Sequence, residues 1–219
     1  MSQEIFEAIR LNDRVRVEQL VSLNPTCAHA RNEAGVSALM QARYEGRQEI
    51  VNLLRAAAGE LDVFEAATLG DVLRLRLLLA GDPALVRAFS NDGFTGLHLA
   101  VFFGQAETAE ELLRHGADPN AVARNPMRVA VINIAAASGR ADLVKIVLQA
   151  GADPNVRQTA GYTALHAAAA RDNIEMVQLL LDAGADASVR SDDGQTAADK
   201  AGALVAELLR EATRTSMTR

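Results

Sequence analysis

The chain has 219 residues, a formal net charge of -6 and a sequence pI near 5.3, a balance that excludes sequence-independent nucleic-acid binding, which needs clustered Lys and Arg to displace phosphate counterions. Hydrophobic residues make up 49%, but aromatics are 4% and Trp is absent, so the apolar content is mostly Ala, Leu and Val and suits thin layers between closely packed helices. A single cysteine, Cys27, excludes an internal disulfide. The amino terminus lacks the basic flank and apolar run of a secretion signal, and no stretch approaches the roughly 20 apolar residues that span a bilayer. A cytoplasmic protein without membrane contact is the expectation.

The first 58 residues align without a gap on the next 58, with Phe6 matching Phe64, Asp13 matching Asp71, Pro25 matching Pro83, Gly35 matching Gly93 and Gly46 matching Gly104. Each half reads as two helix pairs. The first half places helices near 4–11, 14–23, 37–45 and 48–57, and the second near 61–69, 72–80, 95–103 and 106–115. Val15, Val17, Leu20 and Val21 supply a helical apolar period, as do Leu143, Ile146 and Val147.

From Asn91 the pattern sharpens to NDGFTGLHLAVFFGQAETAEELLRHGADPN. It returns at GRADLVKIVLQAGADPN and at GYTALHAAAARDNIEMVQLLLDAGAD, and a helix pair recurring at this period marks a stacked array. Gly116, Gly151 and Gly184 stop the second helices, since Gly accepts a left-handed cap. Thr95 and Thr163 are placed to cap the first helix, with His98 and His166 answering three residues on, for about 1 kcal/mol per repeat.

These segments resemble ankyrin repeats, whose signature opens the inner helix with Thr-Pro-Leu-His and closes the outer one with Gly-Ala-Asp. The resemblance implies an all-α ankyrin-repeat solenoid of about seven helix-turn-helix repeats with short β-hairpin-like loops. Repeats are expected at 1–31, 32–60, 61–89, 90–124, 125–157, 158–190 and 191–219, the first and last acting as caps. The signature Pro is replaced by Ala38, Gly96, Val131, Ala164 and Ala197, and Asn133 and Asp199 take the His position in their repeats. Phe6 and Phe64 are read into that position too and, with Phe89, are expected in the core. Gly46 to Gly70 is 24 residues where Gly70 to Gly104 is 34, so the hairpin before the third repeat is expected to be missing, leaving a notch among the tips.

No phosphate loop, zinc cysteine pair or nucleophile elbow is present. His98 and His166 sit two layers apart, roughly 20 Å, and cannot share a metal. Cys27 follows Asn24, Pro25 and Thr26 in a loop and is not expected as a nucleophile. No cofactor, no metal and no catalysis are therefore expected. Ankyrin partners usually meet the concave side, made by hairpin tips and inner-helix ends. Carried onto this chain, the resemblance implies a protein-binding set of Tyr44, Leu69, Asn91, Asp92, Phe94, Phe102, Phe103, Met127, Arg128, Tyr162 and Arg171. Phe102 and Phe103 read either as exposed anchors or as packing around the missing hairpin. Acids at Glu107, Glu110, Glu111 and Asp118 point to a basic partner. The expectation is a monomeric, non-catalytic module binding a protein or peptide, similar to stand-alone bacterial ankyrin proteins. Two alternatives stay open: a regulatory or inhibitory subunit of an enzyme, and a small-molecule binder or enzyme using the notch.

Overall fold

Short apolar helices joined by Gly-terminated turns bury little surface alone, so each must stack on the next. The computed structural model describes residues 2–217. Among them the helices run in seven pairs: α1 Ser2–Arg10 with α2 Arg14–Leu23, α3 Ala38–Tyr44 with α4 Gln48–Ala57, α5 Val63–Leu69 with α6 Val72–Gly81, and α7 Gly96–Phe102 with α8 Ala106–Arg114. There follow α9 Val131–Ser138 with α10 Ala141–Gln149, α11 Ala164–Ala170 with α12 Ile174–Asp182, and α13 Ala197–Lys200 with α14 Ala203–Met217. First helices pack on first helices, α5 on α7, α7 on α9 and α9 on α11, and second helices on second helices, α6 on α8, α8 on α10 and α10 on α12. One continuous apolar core runs from Ile5 to Leu209. The fold is an all-α solenoid, and in place of strands the described residues carry three isolated bridges, Arg31 to Ser37, Phe89 to Thr95 and Val122 to Ala130.

The helix starts explain themselves chemically. Thr95 and Thr163 open α7 and α11 as capping boxes: His98 Nδ1 lies 2.7 Å from the Thr95 hydroxyl and His166 Nδ1 lies 2.9 Å from that of Thr163. Each imidazole uses its other nitrogen on the following repeat, His98 Nε2 on the Val129 carbonyl at 3.2 Å and His166 Nε2 on that of Gln195 at 3.1 Å. Asp199 plays the same part for Thr196, accepting from its N–H at 2.8 Å.

At α5 the reading shifts by one residue. Asp62 is the cap and Glu65, not Phe64, answers it, with Glu65 Oε2 accepting from the Asp62 N–H at 3.1 Å. Phe64 and Phe6 are half-buried side chains packed on the core, while Phe89 is partly exposed with the Arg124 guanidinium 3.8 Å above its ring. Val15 is also a correction, since it is 64% exposed while Val17 and Leu20 carry the buried face of α2. Two 3-10 turns that sequence periodicity did not announce, Pro25–His29 and Pro83–Arg87, begin with a proline behind a capping Asn24 or Asp82.

Repeats are also tied by polar side chains. Gln105 Nε2 donates to the Thr68 carbonyl at 3.3 Å and Arg140 Nη1 to that of Gly104 at 2.7 Å, while the Arg171 guanidinium donates to Ala137. Each group closes the end of the preceding first helix, where carbonyls have no helical partner. On the loops, Asn120 donates to Gly151 O at 3.1 Å and accepts from the Asp153 N–H at 2.7 Å, and Asn155 repeats this with Gly184 and Asp186.

Among the first helices from α3 to α13, α9 is the exception. Ala130 caps it without a side-chain hydrogen bond. Replacing Ala130 by Thr supplies the missing hydroxyl and is expected to raise stability by about 1 kcal/mol. A denaturation midpoint unmoved or lowered would show that the buried site lacks room for the hydroxyl.

Candidate interaction surface

Between α4 and α5 the chain passes through residues 58–62 alone, whereas 24–37 join α2 to α3 and 115–130 join α8 to α9. The short link lets the second helix pair reach the fourth across the third. The Tyr44 hydroxyl donates to Asp92 Oδ2 at 2.9 Å, and its ring lies 6.0 Å from that of Phe102 and 5.3 Å from that of Phe103. Burial, then the Asp92 charge and hydrogen bond, push the Tyr44 phenol far above its ordinary pKa, so it stays a neutral donor. What remains of the gap is a pocket of about 190 Å3 lined by Arg31, Asp62, Phe64, Ser90 and Asp92, with Arg31 paired to Asp62 at 2.6 Å.

Phe102 and Phe103 divide the two roles foreseen for them. They meet edge to face with centroids 4.9 Å apart, an arrangement aromatic rings favour. Phe103 is half-buried against Tyr44, with the Arg43 guanidinium 5.1 Å from its centroid. Phe102 stays 55% exposed. On its other side opens a groove of about 350 Å3 between α7 and α9, walled by Phe94, Phe102, Met127, Val129 and Ile134, with Asn133, Ala137, Ser138 and Gln158 completing it. Phe94 is itself set against the His98 ring at 5.8 Å, and Met127 is 61% exposed.

The rest of the expected set is dispersed. Leu69 is half-buried on the core, and Asn91 and Asp92 sit at the tip, where Asp92 accepts from Ser90 and Tyr44. Arg128 is exposed beside Met127. Tyr162 is held by the next repeat, its hydroxyl donating to Asp193 Oδ2 at 3.1 Å and Lys200 lying 4.8 Å over its ring. Arg171 is exposed yet bound to Ala137. Sequence reasoning missed Val129, Asn133, Ile134 and Gln158. The one available signal was Asn133 in a position where the neighbouring repeats have His.

The acids lie elsewhere. Glu107 and Glu110 are exposed on α8, a second helix, and Glu111 on the same helix is 4% exposed. Its carboxylate accepts from Arg76 at 2.8 Å and from Arg114. The Arg76 hydrogen bond, helped by Arg114 and opposed by burial, holds the Glu111 pKa down at about 2. Among the described residues no group of three or more His, Cys, Asp or Glu is placed to hold a metal, and no helix is long and apolar enough to cross a membrane. Cys27 is free and buried in its 3-10 turn.

With the stacked pairs and capping boxes in view, comparison with known proteins is decisive for the family: a family model described as ankyrin repeats in three copies matches residues 5–123 and again 132–213. The chain belongs to the ankyrin-repeat family. Ankyrin relatives include a probable E3 ubiquitin-protein ligase XBOS31 and the E3 ubiquitin-protein ligase XB3, both of Oryza sativa subsp. japonica, 42% identical over 77 residues and 41% over 78. Those matches take in 33% and 34% of this ankyrin chain and only 17% of each relative's length.

Proposed function

We propose that the chain is a non-catalytic protein-interaction module whose hairpin tips and first-helix ends, the concave side in ankyrin proteins, take a protein or peptide segment. The observation that carries the reading is Phe102, 55% exposed yet fixed between Tyr44 and Phe103. An aromatic ring already immobilised loses little freedom on binding, and such rings are the usual anchors of interfaces. Met127 and Phe94 extend the anchor along the groove. Support for the absence of catalysis comes from the occupations of the perturbed groups: His98 and His166 hold helix starts, Glu111 holds two arginines, and Tyr44 holds Asp92.

The small-molecule alternative is not favoured at the gap before the third pair, because about 190 Å3 is below the roughly 300 Å3 at which ligand pockets begin. Occlusion of an enzyme would use the same surface and would appear as loss of a client's activity on addition of the chain.

The test is Phe102→Ser compared with the intact chain in affinity capture from native extract, helical content being followed by circular dichroism. Loss of a hot-spot aromatic typically costs about 2 kcal/mol or more, so the captured partner falls below detection while the helical signal stays constant. Undiminished capture by a folded Phe102→Ser chain overturns the site.

A further inference from the structure

The groove beside Phe102 has no charged side chain in its walls, yet the charges around it are of one sign. Arg128 stands in the tip between Met127 and Val129, which both line the groove, and its exposed side chain makes neither an ion pair nor a hydrogen bond among the described residues. Arg124 belongs to the same tip, its guanidinium 3.8 Å over the Phe89 ring. Arg171 comes from α11, donating to the carbonyl of Ala137, another lining residue. From the other end comes Arg43, whose guanidinium lies 5.1 Å from the Phe103 centroid, and that ring is 4.9 Å from the ring of Phe102. None of the four arginines has a carboxylate partner among the described residues. The acid beside them, Asp92, is taken up by Tyr44 and Ser90.

The chain's uncommitted acids lie on the other row. Exposed helical carboxylates that make neither an ion pair nor a hydrogen bond among the described residues are Glu18 of α2, Glu107 and Glu110 of α8, Glu175 of α12 and Glu207 of α14, every one on a second helix. First helices stack on first helices and second on second, so the two rows keep these charges apart. An α-helix with its side chains is about 10–12 Å wide, and at physiological ionic strength the interaction of exposed charges decays over about 8 Å. A segment lying along the tips and first-helix ends therefore meets the arginines and is screened from much of the net charge of -6. The sign of this side is opposite to that of the whole chain. Glu107 and Glu110, which in sequence point to a basic partner, belong to the wrong row for it.

We propose that the surface around Phe102 takes an acidic segment of a partner protein, one apolar side chain of which enters the groove between α7 and α9 while carboxylates before and after it meet Arg43 at one end and Arg124, Arg128 and Arg171 at the other. The walls of Phe94, Phe102, Met127 and Ile134 call for the apolar residue, and the guanidinium forks suit carboxylates. This assignment rests on the reading of the tip side as the interaction surface and adds the charge of what it grips.

Three peptides of about 12 residues, long enough when extended to pass over the four layer steps from Arg43 to Arg171, are titrated against the full chain by fluorescence anisotropy with a neutral dye. Each has a central Leu, flanked by Asp and Glu in the first, by Asn and Gln in the second and by Lys in the third. The acidic peptide is expected to bind about 10-fold more tightly than its amide counterpart at roughly 0.05 M salt, the combined effect of several exposed ion pairs, and to lose most of that advantage at about 0.5 M. Arg128→Glu, at a side chain that holds nothing in the fold, weakens the acidic peptide and spares the amide one while the helical signal is retained. Changing Glu107 and Glu110 to Gln leaves all three titrations as they were. Equal binding of the acidic and amide peptides, tighter binding of the lysine peptide, binding by none of them, or an acidic preference undiminished in Arg128→Glu overturns the proposal. A dimer in sedimentation that Arg128→Glu abolishes makes the chain's own second-helix acids the occupant and overturns it too. Each of these failures leaves capture from extract through Phe102 standing if Phe102→Ser still abolishes it, so the two readings fail separately.

Discussion

Acidification from neutral pH toward pH 4 destabilises this chain before its carboxylates titrate. His98 is fully buried, and burial, only partly offset by the hydrogen bond to Val129, lowers its pKa from 6.5 to about 4. The folded chain therefore holds the neutral imidazole while the unfolded chain takes up a proton near pH 6.5. Between pH 6.5 and about 4 the unfolded state binds more protons, and stability falls as pH falls. The contribution is fully present above pH 6.5 and is lost progressively on the way to about 4, at about 1.4 kcal/mol per unit, or ~3 kcal/mol in all. His166, lowered for the same reason, adds to the slope in the same direction. Glu111, Asp142 and Asp199, whose pKa values are depressed, lose their stabilisation only at lower pH, as their unfolded counterparts begin to protonate. Denaturant midpoints taken between pH 7 and 5 on the intact chain and on His98→Gln separate these sources. The substituted chain is less stable at neutral pH, because the cap and the bond to Val129 are lost, but its midpoint varies less with pH. An unchanged slope in His98→Gln refutes the assignment.

Gly93→Ala is expected to cost about 3 kcal/mol, about twice the cost of the same change at Gly46. Both glycines have positive φ, +84° at Gly93 and +69° at Gly46, so both substitutions carry the left-handed penalty of about 1–2 kcal/mol. At Gly46 a new Cβ meets nothing within 4 Å. At Gly93 it comes within 2.6 Å of the Arg124 carbonyl oxygen and 2.7 Å of its carbon, which are backbone atoms and cannot swing aside. The tips must then part, and with them the bond in which the Arg124 N–H donates to the Gly93 carbonyl at 2.8 Å and that from Asn125 to the Asp92 carbonyl at 2.9 Å. Since Phe94 and Met127 stand on those two tips, the groove opens as well. Thermal unfolding of the two variants side by side decides the matter, and equal midpoints would show that the close approach of the tips contributes nothing.

Much of the architecture was legible because the period is written in residues that cannot be moved. Gly116, Gly151 and Gly184 follow the ends of α8, α10 and α12, and a Thr with a His three places on opens α7 and α11, so Thr95 and Thr163 marked where those two helices begin. Legibility failed where the chemistry was equivalent but the residue types differed. Asp62 with Glu65 does the work of Thr with His, and reading the aromatic Phe64 into the ring position misplaced the start of α5. Proline-led turns at Pro25 and Pro83 escaped notice because they have no apolar period, only an Asn or Asp before the proline. At the candidate surface, composition brought Phe102 and Phe103 forward, but adjacent residues on a helix end point in different directions, and no pattern in one sequence says which is covered. The reach of Tyr44 to Asp92 over 48 positions is likewise a product of stacking, visible only once the layers are assembled.

The donors that reach back from Gln105, Arg140 and Arg171 to the preceding helix ends give the rod a direction. In the layers of α5, α7 and α9 the first helix is finished by a side chain made one layer later. During synthesis each of these three layers stays one bond short of complete until the next has emerged and consolidates it. Removing layers from the carboxyl end strips a survivor of its closure, while removing them from the amino end frees only a flexible donor that water can satisfy. Erosion of this chain is accordingly asymmetric, and shortening it from the two ends by equal amounts leaves remnants of unequal stability.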